Sequence, residues 1–389
     1  MPSTTALPKI TGARLERVEA FVLRAPCATP VQTSFGIMHD RPAVFVRITD
    51  ADGAHGWGEI WCNFPGCGAE HRARLLDTVF RPLLLGQDDC DPAALWRMLQ
   101  EHSAVLAIQT GEYGPIAQVL AGIDLALWDL AARRAGLPLY QLLGGANRET
   151  AAEIAVYASG INPTGSVEMA LNAQQQGHTA FKLKIGFDAE RDRRNLEQMR
   201  QALGAQALLM ADANQAWTLE QARQACATLE RFDLGWIEEP MRADAPLAAW
   251  ADLAGAIATP IAAGENMNSA AEFNAALESQ AFRVLQPDAA KWGGISGCLP
   301  VARAVVAAGV RYCPHYLGGG IGLAASAHLL AAVGGDGRLE IDVNDNPLRS
   351  IPAAPLLEIA QGRVRLPSAP GIGIAPDLEQ LAQYAIDWR

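Results

Sequence analysis

Short apolar runs along this chain alternate with longer Ala- and Leu-rich stretches of helical periodicity, beginning with EIAVYAS after Gly144-Gly145 and ending with RLEID. A short apolar run bounded by turn residues reads as a buried strand, and apolar positions every three or four residues read as a helix packed on it. The alternation predicts a (β/α) barrel domain over residues 146–350. The texture before it is different. From Arg14 to Glu59 the runs VEAFVLR, AVFVRITD and GWGEI, with a turn at Asp52-Gly53, predict three antiparallel strands. Helical periodicity follows from Ala69 to Leu85, from Pro92 to His102, and in IAQVLAGIDLALWDLAARRAG until Gly136-Leu137-Pro138 stops it. Residues 1–145 therefore read as an α+β domain. The segment 351–389, with its turn cluster PSAPGIGIAPD, does not fit an eightfold barrel and is expected to return to the first domain, closing the other half of a lid.

Polar residues punctuate the barrel region at intervals of roughly 25 residues, the repeat length of such a barrel. In order they are Lys182 and Lys184 in FKLKIG, Asp212 and Asn214 in MADANQ, Glu238 in WIEEP, Glu265 in AAGEN, Asp288 in LQPDAAK, His315 in YCPHYL and Glu340 in RLEID. Catalytic groups of these barrels sit where strands give way to loops at one end, so the spacing collects distant residues around one mouth. An enzyme is the leading reading. A fold retained for binding without turnover is the alternative, and loss of a metal ligand or of Lys184 would favour it.

Composition narrows the class. The chain has 389 residues, half of them hydrophobic, ample for two domains. A net charge of −11 without Lys/Arg clusters argues against a nucleic-acid surface. No uninterrupted apolar stretch and no basic-then-apolar leader points to a membrane or to secretion, so a cytoplasmic protein is expected. The seven cysteines are scattered and odd in number, which argues against a disulfide framework; Cys62 and Cys67 in WCNFPGCG read as loop residues.

Asp212, Glu238 and Glu265 each follow an apolar run, and taken singly each reads as a strand-end acid or helix cap. Three carboxylates converging without thiol or imidazole make an oxygen site for a hard cation, Mg²⁺, with Mn²⁺ able to substitute. Glu239 points to the other side of the strand from Glu238 and is left as a supporting acid. Asn214 shares the Asp212 side and holds either the ligand shell or the substrate, with a turn-forming role as the alternative. Lys182 and Lys184, two apart, both point into the barrel, and mutual repulsion is expected to lower their pKa values into the range of a base. His315 and Asp288 end the seventh and sixth strands, where the carboxylate would hold one imidazole nitrogen. Glu340, ending the eighth, is expected to have a raised pKa and to donate a hydrogen bond to a developing oxyanion. Loops Thr33–Arg41 and Glu59–Gly68, bringing Trp61 and Phe64, would cap the mouth, and Trp61 and Tyr316 are expected to contact substrate there.

Together these residues resemble the enolase superfamily, and within it the mandelate racemase/muconate lactonizing enzyme family. The similarity runs through IDLALWDLAARRAGLPLYQLLGG, FKLKIG, DANQAW, IEEP, GEN, QPDAAKWGGISG, PHYLGGG, RLEID and PGIGI. The resemblance implies an α/β fold: a modified TIM barrel of (β/α)7β type with an α+β N-terminal capping domain completed by the C-terminal tail. It implies Asp212, Glu238 and Glu265 as Mg²⁺ ligands. Lys184, with Lys182 beside it, would be the base on one face of the substrate carbon, His315 with Asp288 the base on the other, and Glu340 the assisting acid. The muconate-lactonizing branch uses a lysine on the sixth strand, and Lys291 in PDAAKWGG offers one. The stretch RLEIDVNDNPLR is also similar to galactarolactone cycloisomerases.

The shared step implied is removal of the proton next to a carboxylate, giving an enolate. Protonation on the opposite face is racemisation or epimerisation, loss of a β-hydroxyl is dehydration to a 2-keto-3-deoxy acid, and loss of a lactone oxygen opens a ring. Dehydration of an acid sugar is the favoured outcome. The partners implied are a small carboxylate substrate and further copies of the chain, as a dimer or octamer.

Overall fold

A computed structural model of the chain describes residues 14–33, 36–88, 90–145 and 153–389. The first sheet has three antiparallel strands, β1 (Leu15–Thr33), β2 (Gly36–Asp50) and β3 (His55–Ile60), in the order β1-β2-β3. Strands β1 and β2 form one long hairpin, with register running from Leu15 opposite Asp50 to Thr33 opposite Gly36 across a shift between Pro26 and Val31. The segment expected as a capping loop at Thr33–Arg41 is therefore mostly strand, because alternating side chains let the hairpin extend over the barrel; Ser34 and Phe35 lie outside the described residues. His39 falls on β2 and His55 on β3.

Across this sheet lies the helix Tyr113–Arg134, buried almost all round. It approaches β3 closely, since a β-carbon at Gly58 would run into the backbone of Gly122, and one at Gly56 into that of Ala126. Its length and composition would suffice to cross a membrane, but 89% of its most apolar window is buried inside the protein, as in a core helix. Two acids interrupt its apolar surface and both are used. Asp124 accepts from the Ser296 backbone at 2.9 Å and the Ser296 hydroxyl at 2.5 Å. Asp129 accepts from Trp57 N at 2.8 Å, Ile372 N at 2.7 Å and Arg133 Nε at 2.8 Å. One helix thus joins the small sheet, the barrel and the tail.

The second sheet holds eight parallel strands: β4 (Glu153–Ile161), β5 (Ala180–Lys184), β6 (Leu208–Asp212), β7 (Ile237–Glu238), β8 (Ile261–Ala263), β9 (Val284–Leu285), β10 (Arg311–Tyr312) and β11 (Arg338–Asp342). Pairing runs β10-β9-β8-β7-β6-β5-β4-β11, so the barrel is nearly closed, with its seam between β10 and β11. Seven long helices follow the first seven strands, whereas β11 leads only to the short helix Pro347–Ser350; this is the (β/α)7β arrangement. The tail does two things. Strand β12 (Arg363–Arg365) pairs antiparallel with the start of β4, beneath the barrel. Beyond it, Ile386 N donates to Val22 O at 3.0 Å, Ala385 bridges Leu23, and Trp388 joins the core of the small domain.

Candidate active site

The parallel register aligns the strand ends, and with them the polar side chains. Lys184 stands opposite Asp212, and Asp212 opposite Glu238. Glu340 is central in β11, which runs two residues further, to Asp342, than expected. Every one of Lys182, Lys184, Asp212, Glu238, Asp288, His315 and Glu340 is buried. Such groups persist in a barrel interior only when paired.

The pairing is dense. Lys182 Nζ lies 2.6 Å from Glu238 Oε2 and 2.7 Å from Glu340 Oε1. Lys184 Nζ donates to Asp212 Oδ2 at 2.6 Å and Asn214 Oδ1 at 2.8 Å. His315 is held from both sides: Nδ1 is 2.7 Å from Asp288 Oδ2, and Nε2 is 2.5 Å from Glu265 Oε2. Glu340 also accepts from Tyr316 N at 3.0 Å and from the Ser159 hydroxyl. Lys291 Nζ donates to Asn266 Oδ1 at 2.9 Å and lies 4.8 Å from the centre of the Trp61 ring. Asn214, Gln215 and Glu239 all have left-handed φ angles, of 43°, 66° and 39°, a concentration of backbone strain beside these carboxylates.

The charge states run against two expectations. Burial works to lower the pKa of Lys182, but Glu238, Glu340 and Asp212 outweigh it and hold the ammonium well above the usual lysine range. Lys184 is likewise raised, burial and Lys182 being outweighed by Asp212 and Glu238. The two lysines thus see more carboxylate than they see of each other, and neither is lowered. Glu340 is lowered rather than raised, because Lys182 and His315 outweigh its burial. His315 is raised well above the imidazole range, since Glu265 and Glu340 overcome burial.

Carboxylates outnumber cations here. Asp212, Glu238, Glu239, Glu265, Asp288 and Glu340 face Lys182, Lys184, Lys291 and His315. Burial, with Asp212 and Glu340 adding to it against Lys182, pushes Glu238 up to about 7. One oxygen of buried Glu239 has no hydrogen-bond partner. Surplus buried carboxylate on an all-oxygen donor set fits a hard divalent cation. Among the described residues, no three acid, histidine or cysteine side chains stand in a ready metal-binding group, because Asp212, Glu238 and Glu265 are each directed at a lysine or at His315.

A cavity of about 290 Å³ opens over these groups, lined by Thr33, Trp61, Asn63, Phe64, Lys184, Asn214, Gln215, Glu265, Asn266, Lys291, His315 and Leu317. The small domain closes it: Trp61 N donates to Ala290 O at 3.3 Å, and Asn63 Nδ2 to Leu317 O at 2.6 Å. Tyr316, expected to touch substrate, is instead buried against Glu59 and does not line the cavity. Alternation along the segment turns it away from the side His315 takes. Cys62 is buried outside the lining.

Three contributors were not legible from the pattern. Gln286 Nε2 donates to Glu238 Oε2 at 2.7 Å, and its position two residues before Asp288 was the available signal. Ser159 lies on β4, a strand without a candidate residue in the sequence. Asn266 bridges Glu239 at 2.8 Å and Glu265 at 2.9 Å, and nothing in its spacing announces this.

Comparison with known proteins agrees with this architecture. Residues 17–144 match the family described as mandelate racemase/muconate lactonizing enzyme, N-terminal domain, and residues 166–381 match the enolase C-terminal domain-like family. A crystal structure of a mandelate racemase/muconate lactonizing enzyme from Bordetella bronchiseptica is 55% identical, covers 96% of this chain and 99% of its own, and superposes with a TM-score of 0.89. The D-galactarolactone cycloisomerase of Agrobacterium fabrum is 31% identical across 95% of this chain and 98% of its own length. The L-talarate/galactarate dehydratase of Salmonella typhimurium, solved with Mg and L-lyxarohydroxamate, is 30% identical, covers 97% and 94% of the two chains, and gives a TM-score of 0.84. Relatives thus include dehydratases and cycloisomerases, all enzymes, acting on small sugar acids. The chain belongs to the mandelate racemase/muconate lactonizing enzyme family of the enolase superfamily.

Proposed function

We propose that this protein removes the proton adjacent to a substrate carboxylate and then expels a β-hydroxyl, dehydrating an acid sugar to a 2-keto-3-deoxy acid. The observation that carries the reading is that Lys184 and His315, on strands three places apart or more in the barrel order, line the same small cavity. Asp212, Glu238 and Glu265 would hold Mg²⁺, or Mn²⁺ in its stead. That ion supplies positive charge to the substrate carboxylate, where charge accumulates in the transition state.

The remaining work falls to side chains. Lys184 takes the α-proton, for which its own proton must first leave; Asp212 opposes that loss, and burial and Lys182 favour it. Lys182, between Glu238 and Glu340, keeps its charge beside the carboxylate oxygens. Glu340, fixed by Ser159 and Tyr316 N, assists there. His315, held as imidazolium by its two carboxylates, gives its proton to the departing hydroxyl, which leaves as water. The resulting enol ketonises to the product. Asn214, Trp61 and Lys291 contact substrate.

The cycloisomerase relative, similar over nearly the whole chain, supports a second reading in which the leaving group is a lactone oxygen. Racemisation or epimerisation is a third, with His315 returning a proton to carbon. Free thiols at Cys27, Cys62, Cys67, Cys226, Cys298 and Cys313 suit a reducing, cytoplasmic setting. Proton NMR of the Mg²⁺-loaded protein in D₂O, with pooled aldonates, aldarates, their lactones and α-hydroxy acids, separates the readings. New 2-keto-3-deoxy signals are expected. α-Deuteration with inversion, or loss of lactone, moves the protein to the isomerases. Lys184→Ala should lower α-proton exchange, and His315→Asn the loss of the β-hydroxyl, each by about 10²-fold or more. Full turnover by both variants, or turnover surviving EDTA, would overturn the assignment.

A further inference from the structure

The site as a whole is rich in acid, yet the cavity wall is not. Asp212, Glu238, Asp288 and Glu340 lie below the lining, which carries three cationic groups, Lys184, Lys291 and His315, against the single carboxylate of Glu265. Lys184 and His315 have parts in proton transfer. Lys291 has none, although it is 8% exposed and firmly held.

Its backbone N donates to Asp288 Oδ1 at 3.1 Å, so the carboxylate that orients His315 also fixes Lys291. Its ammonium meets neutral partners, Asn266 Oδ1 at 2.9 Å and the face of Trp61. The nearest carboxylate, Glu265, stands 3.7 Å away and is already engaged by His315 at 2.5 Å. A largely buried cation whose closest partners are neutral is stabilised further by an anion brought by the ligand. Beside it, the indole Nε1 of Trp61 is buried without a partner, a second donor. At about 290 Å³ the cavity lies at the lower end of small-molecule sites, near about 300 Å³.

Building on α-proton abstraction as the reaction, we propose that Lys291, seated on Trp61, reads a second carboxylate at the far end of the substrate, so that the substrates are compact dicarboxylates: aldarates rather than aldonates. Lys291 is then a specificity residue, not a base.

The test is calorimetric binding to the Mg²⁺-loaded protein of two matched pairs, galactarate against galactonate and glucarate against gluconate. The chain as it stands should bind each diacid at least about tenfold tighter than its partner. Lys291→Met should erase that preference, weakening each diacid at least about tenfold more than its monoacid partner, and Lys291→Arg should keep most of it. Equal affinity for both members of each pair, equal weakening of both by Lys291→Met, or failure of all four to bind would overturn the inference. α-Deuterium exchange, followed separately, tests the reaction itself. Diacid preference without exchange would sink proton abstraction and leave the subsite, whereas exchange without preference would sink the subsite alone.

Discussion

His315 carries a carboxylate on each ring nitrogen, and the two play different parts. Asp288, buried and also bonded by Ala290 N at 2.8 Å and Lys291 N, is fixed by the backbone and sets the ring's direction. Glu265 is claimed by His315, Asn266 and Lys291 together and is free of backbone anchors among the bonds described. Replacing Asp288 with Asn preserves the shape but removes the charge that favours imidazolium. Asp288→Asn is expected to lower loss of the β-hydroxyl by about 10²-fold or more, leaving α-proton exchange by Lys184 within a few-fold. NMR in D₂O reads α-deuteration and keto-acid formation separately, and equal loss of both would refute the division. At this scale the sequence told which residues meet, because the barrel period determines it. It could not tell their charge states: whether Lys184 feels Lys182 or Asp212 more depends on ångström distances that spacing does not carry. The direction of Tyr316 escaped for the same reason.

The helix Tyr113–Arg134 was legible as a helix from its periodicity, but its neighbours were not. A segment apolar on every side announces burial without saying between what. Its two acids were visible in the motif IDLALWDL, yet their partners come from β3, from the helix Gly294–Ala307 and from the tail. Asp129 satisfies two backbone N–H groups and Arg133 in a fully buried position. Asp129→Ala leaves those donors without a partner and is expected to cost on the order of 3–5 kcal/mol in urea denaturation. A loss under about 1 kcal/mol would mean that the node is dispensable. The tip of the hairpin β1–β2 escaped: Thr33–Arg41 reads as a capping loop, whereas the pairing continues to Thr33 opposite Gly36.

Across the whole molecule, acid sensitivity should reside partly in a histidine far from the cavity. His328 accepts from Tyr140 N at 3.2 Å through Nδ1 and donates from Nε2 to Ile372 O at 3.1 Å, so its neutral form fits and a second proton would face a donor. Burial lowers its pKa from 6.5 to about 4. Its contribution to stability is therefore complete above about pH 6.5 and drains as pH falls towards 4, by about 3 kcal/mol at most. His328→Gln, which takes up no proton, should flatten the slope of unfolding free energy over that window by up to one proton; an unchanged slope would refute the assignment. The last contacts of the tail, Ile386 with Val22 and Trp388 in the core of the small domain, have a consequence for the order of events in synthesis. The small domain takes its first strands from before the barrel and its closing contacts from after it, so the barrel is in effect an insertion. As the chain emerges from the ribosome, the three-stranded sheet must wait, with part of its core uncovered, until all eight parallel strands have been made. The lid over the cavity is thus begun first and finished last, and a chain stalled in the barrel would leave that unfinished core for chaperones to shield.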